Sequence, residues 1–278
     1  MSHRTDSKKA SAPTVIHQVF SWFHYSGRDL YRRLFDPLTP PEKSIFVGPG
    51  DFKEIGNEFL RHFKELGGLK PDETVLDVGC GIGRMAVPLT SYLSPEGRYY
   101  GFDIVRDGID WCNANIHRRF KNFHFEWANI HNKFYNPEGP FNACQYRFPY
   151  EDSFFDFVFL TSVFTHMLPQ DVEHYFSEIS RVLKPGGRTF ITFFILNTEV
   201  LDMIQQGGSS IRFLLQEGGY FTVNPEKPED AIGYPEETVH NWFKQSGFRL
   251  TGPVCYGTWC GRASGVSYQD IIIAVKGE

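Results

Sequence analysis

The chain lacks the features that would hold it to a nucleic acid, to zinc or to a membrane. No long Lys/Arg block occurs, and 33 acidic residues outnumber 28 basic ones, for a formal net charge of -5. Binding a nucleic-acid backbone needs a concentrated basic footprint. The balance therefore argues against that partner and for a small molecule. The five cysteines, at 80, 112, 144, 255 and 260, are scattered and odd in number. No C-x-x-C pair and no Cys/His set with zinc spacing is present. No metal is expected, and reduced thiols in a cytoplasmic protein fit best. Residues 1–14 are polar and lack the apolar core of a signal peptide. The longest apolar runs, such as Phe154 to Leu160, fall far short of the roughly 20 residues that span a bilayer. No membrane partner is expected, and the oligomeric state is left open.

What is present suits one elaborated α/β domain. The chain has 278 residues, 41% hydrophobic and 22% charged, ordinary values for a globular protein. Aromatics are in surplus, with 27 Phe, 13 Tyr and 5 Trp. They serve either a greasy substrate pocket or a Phe-rich core.

The most informative stretch is Val75-Leu-Asp-Val-Gly-Cys-Gly-Ile-Gly-Arg84. Val75 to Val78 reads as a buried parallel strand interrupted only by Asp77. Glycines then alternate at 79, 81 and 83. Glycines at the carboxyl end of a first strand let backbone approach a ligand closely. A second strand ends in Asp103, a carboxylate placed to accept hydrogen bonds from the ribose hydroxyls of an adenosine-bearing cofactor. The dinucleotide fingerprint G-x-G-x-x-G needs its third glycine three residues after the second. Here the spacing is G-x-G-x-G, with Arg at 84.

Beyond this motif strands and helices alternate, as in a doubly wound sheet. Strands are expected at 74–78, 98–103, 123–127, 155–160 and 188–194, and near 248–256 and 268–275. Helices are expected at about 52–66, 84–93, 106–119, 170–183 and 236–246. Residues 1–14 read as a disordered tail, and 15–66 as a helical amino-terminal cap. Residues 67–278 read as the main domain. Its insertion at 197–235 carries helical stretches near 198–206 and 209–217. Residues 129–150 form a long aromatic loop. Segments of this kind at the carboxyl edge of such a sheet shape substrate pockets.

The glycine stretch resembles motif I of the class I S-adenosylmethionine (SAM)-dependent methyltransferases, roughly (V/L)LD(V/I)GCGxG. The likeness extends over about residues 45–195. Asp103 matches the acidic residue on the SAM ribose. Trp127-Ala-Asn-Ile130 matches the adenine-binding end of strand three. Phe155 to Met167 resembles motif IV with its following loop, and Arg181-Val-Leu-Lys-Pro-Gly-Gly-Arg188 matches the structural RVLKPGG turn. The resemblance implies an α/β, Rossmann-like fold with a mostly parallel seven-stranded sheet, and SAM as cofactor. It implies a cofactor site at Asp77, Gly79, Cys80, Gly81, Gly83, Asp103, Ile104, Asn129, Ile130 and Thr161. Asn129 has a second reading, as a turn cap.

Transfer to a hydroxyl benefits from a general base, and His is the most frequent one. O-methylation of a sugar or secondary metabolite is slightly favoured over N- or C-methylation. His166, after motif IV, is the leading base candidate, with His131 and Tyr135 as alternatives. His24, Tyr25, Tyr220 and Tyr234 are further candidates for contact with the acceptor. Arg84 is expected either to steady the cofactor carboxylate or to pair with an acid. The rival readings are a nicotinamide-dependent oxidoreductase and a SAM-binding protein without turnover.

Overall fold

The computed structural model describes residues 36–133 and 135–278. His24, Tyr25 and the helix expected over 15–35 lie outside the described residues. Two compact units divide the chain at Ile45/Phe46. In the first, residues 36–45 carry a short 3-10 turn at Glu42–Ser44 and a turn closed by Thr39 N–H on the Asp36 carbonyl.

The second unit opens with α1 (Phe52–Glu65). Asp51 starts it as expected, its Oδ1 accepting from Lys53 and Glu54 N–H at 2.9 Å each. α1 lays Phe63 against Phe157, Phe159 and Phe190, with ring centroids 5.8, 4.3 and 5.0 Å away. By these contacts α1 is part of the sheet's own core. A cap running to residue 66 does not match the packing.

The strands β1 (Thr74–Val78), β2 (Arg98–Asp103), β3 (Phe123–Trp127), β4 (Phe155–Leu160) and β5 (Leu183–Phe193) alternate with helices. These are α2 (Ala86–Leu89), α3 (Arg106–Cys112) and α4 (Pro169–Val182). Near the carboxyl end come α6 (Glu236–Gln245), β10 (Phe248–Leu250) and β11 (Asp270–Lys276). The seven-stranded sheet has the order β10-β11-β5-β4-β1-β2-β3. All neighbours pair in parallel except β11, which is antiparallel to both β5 and β10. The expected fold class is therefore the observed one. β1 pairs with both β2 and β4, so the strand order reverses there. Such a reversal opens a crevice at the carboxyl ends of the strands.

Several boundaries differ from the sequence expectation. The first crossover helix shrinks to α2, because Pro88 falls inside it. The second ends in a π-turn at Asn113–His117. Lys184 to Gly187 fall within the span of β5, but its pairing with β4 shifts there, from Leu183 opposite Phe155 to Arg188 opposite Phe157, and Gly186 has φ 73, so the expected turn is a bulge in the strand. The aromatic surplus goes largely to the core: Phe102, Phe123, Phe148, Phe155, Phe157, Phe159, Phe164 and Phe176 are fully buried.

The insertion holds one expected helix, α5 (Thr198–Gln205). The second is absent. Its place goes to a small sheet in the order β6-β9-β8-β7. The strands are β6 (Ile195–Leu196), β7 (Leu214–Leu215), β8 (Phe221–Thr222) and β9 (Ile232–Pro235). Leu196 of β6 and Phe221 of β8 pack with Val200, Phe213, Trp259 and Cys260 as a satellite core, while Ile232 and Tyr234 of β9 join the main one.

Asp270 joins this sheet to the main one. It is fully buried. Its Oδ1 accepts from Gly257 N–H at 2.8 Å. Its Oδ2 accepts from Ile195 N–H at 2.8 Å and Trp259 Nε1–H at 2.7 Å. Burial pushes its pKa up, and these donors oppose that. Each buried donor left unpaired costs about 1–3 kcal/mol. Asp270→Ala should therefore lower the unfolding free energy by about 3–5 kcal/mol, measured by urea denaturation. An effect under about 1 kcal/mol would contradict this role.

Candidate active site

The site is built around the turn between β1 and α2. Gly79, Gly81 and Gly83 have φ of 80, 55 and 82, the left-handed region that favours glycine. A Cβ on Gly81 would stand 2.4 Å from Val47 Cγ1. That spacing lets the 46–50 segment lie directly against the turn. Arg84 secures the segment, its Nη2 donating to the Gly48 carbonyl at 2.9 Å and its guanidinium 5.8 Å from the Phe52 ring centroid. Arg84 also feels the charge of an acid, Asp51, one of the two roles expected of it from sequence. Its partner is a backbone carbonyl 36 residues away, which no local signal marks.

The turn uses its own N–H groups internally. Gly79 and Cys80 N–H both donate to the Phe102 carbonyl, at 2.9 and 3.0 Å, and Gly83 N–H to the Cys80 carbonyl at 2.9 Å. Gly81 N–H donates to Asp103 Oδ2 at 2.7 Å. Asp103 Oδ1 accepts from Val105 N–H at 2.8 Å. Burial pushes the Asp103 pKa up, and the N–H donors around it pull it back. Each carboxylate oxygen carries further lone pairs, so Asp103 retains acceptor capacity at the β2 end. Ile104, next in sequence, is half-buried, and its carbonyl accepts from Trp127 Nε1–H at 3.0 Å.

Asp77 lies deeper than the cofactor role expected of it allows. It is 1% exposed, with Oδ2 accepting from Tyr99 OH at 2.6 Å and Oδ1 unpartnered. It braces β1 against β2 under the turn, so direct ligand contact is corrected to support. Cys80 also points inward: a Cβ on Gly101 would meet its Sγ at 3.0 Å. Burial pushes the Cys80 and Cys112 thiols well up, which keeps both unreactive.

At the β3 end, Asn129 Oδ1 accepts from Asn136 Nδ2–H at 3.0 Å, and the Ile130 carbonyl from the same group at 2.8 Å. Asn129 thus ties down its own loop, the alternative reading, with its amide nitrogen left over from that bond. Ile130 is buried. Thr161 is half-buried at the end of β4.

The base candidates separate. His166 lies on the 3-10 turn Phe164–His166 after β4, with Nδ1 2.8 Å from the Glu229 carbonyl. A carbonyl only accepts, so Nδ1 carries the proton and Nε2 the lone pair. His131 is exposed, with Nδ1 3.0 Å from the Pro137 carbonyl. Tyr135 is 49% exposed, its ring centroid 6.4 Å from that of Phe46. Tyr234 is buried, with its OH donating to the Met167 carbonyl. It anchors the loop and is corrected from acceptor contact. Tyr220 packs partly buried on the main core. Among the described residues no group of His, Cys, Asp and Glu is arranged to hold a metal ion, and no helix is long and apolar enough to cross a membrane.

In sequence and in fold the chain is similar to methyltransferases. Residues 76–191 match the methyltransferase domain model. Phosphoethanolamine N-methyltransferase 2 of Caenorhabditis elegans is 31% identical over 149 residues, 54% of this chain and 29% of the relative. The 2-phytyl-1,4-naphtoquinone methyltransferase of Trichormus variabilis is 25% identical over 167 residues, 59% of this chain and 64% of the relative. The chain thus spans less than two thirds of these relatives' length. The 1,6-didemethyltoxoflavin-N1-methyltransferase of Burkholderia thailandensis, solved with S-adenosylhomocysteine, shares the fold. Its TM-score is 0.51 at 14% identity, with 99% of each chain covered.

The buried Asp77 carboxyl gives the site a pH signature. Burial pushes its pKa from 3.8 up to about 8, against the Tyr99 hydrogen bond, with the Asp103 charge adding to the rise. The folded protein holds a proton here that the unfolded chain releases near pH 4. Stability from this group is therefore full below about pH 4 and lost as pH rises toward 8. Asp77→Asn keeps an acceptor for Tyr99 and does not titrate. Urea melts from pH 5 to 8 should show the parent losing stability relative to the Asn variant as pH rises. Parallel curves would refute the assignment.

Proposed function

We propose, from the premise that the chain belongs to the class I SAM-dependent methyltransferases, that it moves a methyl group from SAM to a small-molecule acceptor. The observation that carries this reading is the glycine turn with its N–H groups at 79, 80, 81 and 83 all bonded internally. A pyrophosphate is bound by free N–H groups at such a turn. This turn offers close backbone approach and a carboxylate instead, which suits an adenosine carrying a positive sulfonium. The same point disfavours the nicotinamide alternative.

The residues fit the cofactor. Asp103 would take the ribose hydroxyls on its remaining lone pairs, and Gly79, Gly81 and Gly83 would let the backbone lie close. Ile104, Asn129 and Ile130 would border the adenine, and Thr161 the opposite end. SAM supplies an activated methyl on a sulfonium. The protein's part is to align the acceptor, keep water out and take up a proton where one is released.

We assign the proton to His166 Nε2. The Glu229 carbonyl on Nδ1–H fixes the ring and leaves Nε2 as its acceptor. A base so oriented favours a hydroxyl acceptor, hence O-methylation of a sugar or secondary metabolite. His131 and Tyr135 are the second choices, their exposure leaving them less shielded from water. N- or C-methylation is the alternative, and two of the proteins named above are N-methyltransferases by name. The chain's net charge of -5 supports a small acceptor over a nucleic acid.

Asp103→Ala should weaken binding of S-adenosylhomocysteine by about 1–3 kcal/mol, the order for hydrogen bonds to a charged group. Calorimetry showing no loss would reject the site. His166→Ala should lower kcat at least about 100-fold toward a hydroxyl acceptor while cofactor affinity holds. An unchanged kcat would remove the base role.

A further inference from the structure

The carboxyl of Glu229 carries an oxygen, Oε2, that is buried and has no hydrogen-bond partner. A buried acceptor left unpaired costs the full desolvation of that group. The other oxygen, Oε1, lies 3.9 Å from Lys133 Nζ, beyond hydrogen-bond length. The pair is lopsided, with the Glu229 side chain 16% exposed and that of Lys133 60% exposed. An ammonium held so largely in water adds little to a pair and leaves it easily. Among the described residues, Lys133 is the one cation paired with this carboxyl.

Asp171, near the start of α4, is a second acid in the same neighbourhood. Burial pushes its pKa up, the N–H groups of Leu168 and Cys144 pull it back, and the Glu229 charge adds to the rise. Asp171 is thus supplied with backbone donors. Glu229 Oε2 is not, and it is left for a donor from outside the chain. The terminal torsion of a glutamate is broad and two-fold, so this oxygen turns readily toward a group arriving where Lys133 now stands.

The location ties this carboxyl to methyl transfer. The Glu229 carbonyl accepts from His166 Nδ1–H at 2.8 Å. Glu229 belongs to the insertion and Lys133 to the aromatic loop, segments of the kind that shape substrate pockets. One residue therefore orients the proposed base through its backbone and presents a charge through its side chain. A single small molecule can span His166 Nε2 and the Glu229 carboxyl.

We propose that Glu229 selects the acceptor: its carboxyl binds an ammonium group on the molecule whose hydroxyl is methylated, in place of Lys133. This rests on the methyltransferase reading above and narrows the acceptor to a small hydroxyl compound that carries a cationic amine. The ammonium nitrogen has no lone pair, so it is held and not methylated. The hydroxyl oxygen takes the methyl, its proton passes to His166 Nε2, and the carbon–sulfur electron pair stays on sulfur as S-adenosylhomocysteine leaves. Lys133 returns to water at little cost, being mostly there already.

The test uses the full chain, SAM and acceptors matched except at the amine: tyramine against 4-ethylphenol, and glucosamine against glucose. Mass spectrometry follows methyl transfer and places the methyl on oxygen or nitrogen. The parent should favour an amine over its neutral counterpart at least about tenfold in kcat/KM, the scale of one charge-assisted hydrogen bond. Glu229→Gln keeps the side-chain shape and the carbonyl on His166. It should raise KM for the amine about tenfold while kcat, and kcat/KM for the neutral compound, stay within about twofold. Lys133→Met removes the competing cation and should lower KM for the amine. An equal loss for amine and neutral compound in Glu229→Gln would mean a merely structural carboxyl and overturn the proposal. So would an unchanged KM for the amine in both variants, or a parent that prefers the neutral compounds or methylates the amine nitrogen. A parent that binds S-adenosylhomocysteine by calorimetry yet methylates neither amine would overturn this inference alone. One that does not bind S-adenosylhomocysteine would overturn the methyltransferase reading itself.

Discussion

The bond from Gly81 N–H to Asp103 Oδ2, 2.7 Å long and buried, is the constraint around which the candidate site is organised. It joins the turn after β1 to the end of β2, whose registers are already locked by pairs such as Val78 with Phe102. The other Asp103 oxygen holds Val105 at the start of α3. One carboxylate thus sets the positions of the glycine turn, of the acid itself and of the next helix. Burying it costs desolvation, and the N–H donors around it offset that cost. Asp77 beneath has one hydroxyl partner in Tyr99. Two carboxyls 26 residues apart in sequence therefore differ in character. One is a hydrogen-bonded anchor at the crevice, the other a buried acid whose pKa lies near 8.

The glycine turn and the strand end at Asp103 were legible because their determinants are local. Gly79, Gly81, Gly83 and Asp103 lie within one β-turn-helix-β unit, and their spacing encodes the turn directly. The strands at 74–78, 98–103, 123–127 and 155–160 emerged where the apolar runs placed them. Near-continuous apolar runs of that length suit a parallel strand covered on both faces.

The insertion was less legible, for a physical reason. β7 and β8 are two residues long, too short to show an alternation of period two. Phe213, Leu214 and Leu215 are consecutive apolar residues that fit a helix equally well. What decides for strand is pairing, Leu214 with Thr222 and Phe221 with Gly233, together with burial of Phe213 against Trp259 at 5.5 Å between ring centroids. The same holds for Thr192, whose Oγ1 donates to Gln269 Oε1 at 2.6 Å only because β11 runs antiparallel beside β5. Arg84 likewise finds its carbonyl only after folding. Tertiary partners of this kind leave no spacing signal in one sequence.

The insertion reaches His166, the residue proposed above as the base. The carbonyl that receives Nδ1–H belongs to Glu229, on the 3-10 turn Pro228–Asp230. That turn is held by Thr222 Oγ1 on the Pro228 carbonyl at 2.9 Å and by Asn224 Nδ2 on Asp230 at 2.9 Å. Lys133, from the aromatic loop, brings its Nζ to 3.9 Å from Glu229 Oε1. The small sheet, the aromatic loop and the turn after β4 therefore converge on one residue. An imidazole serves as a base only from the nitrogen that its other hydrogen bond leaves unprotonated. The Nδ1 partner of His166 thus lies 63 residues away in sequence, on a turn held to the small sheet through Thr222. The orientation of the proposed base therefore depends on the folding of the insertion.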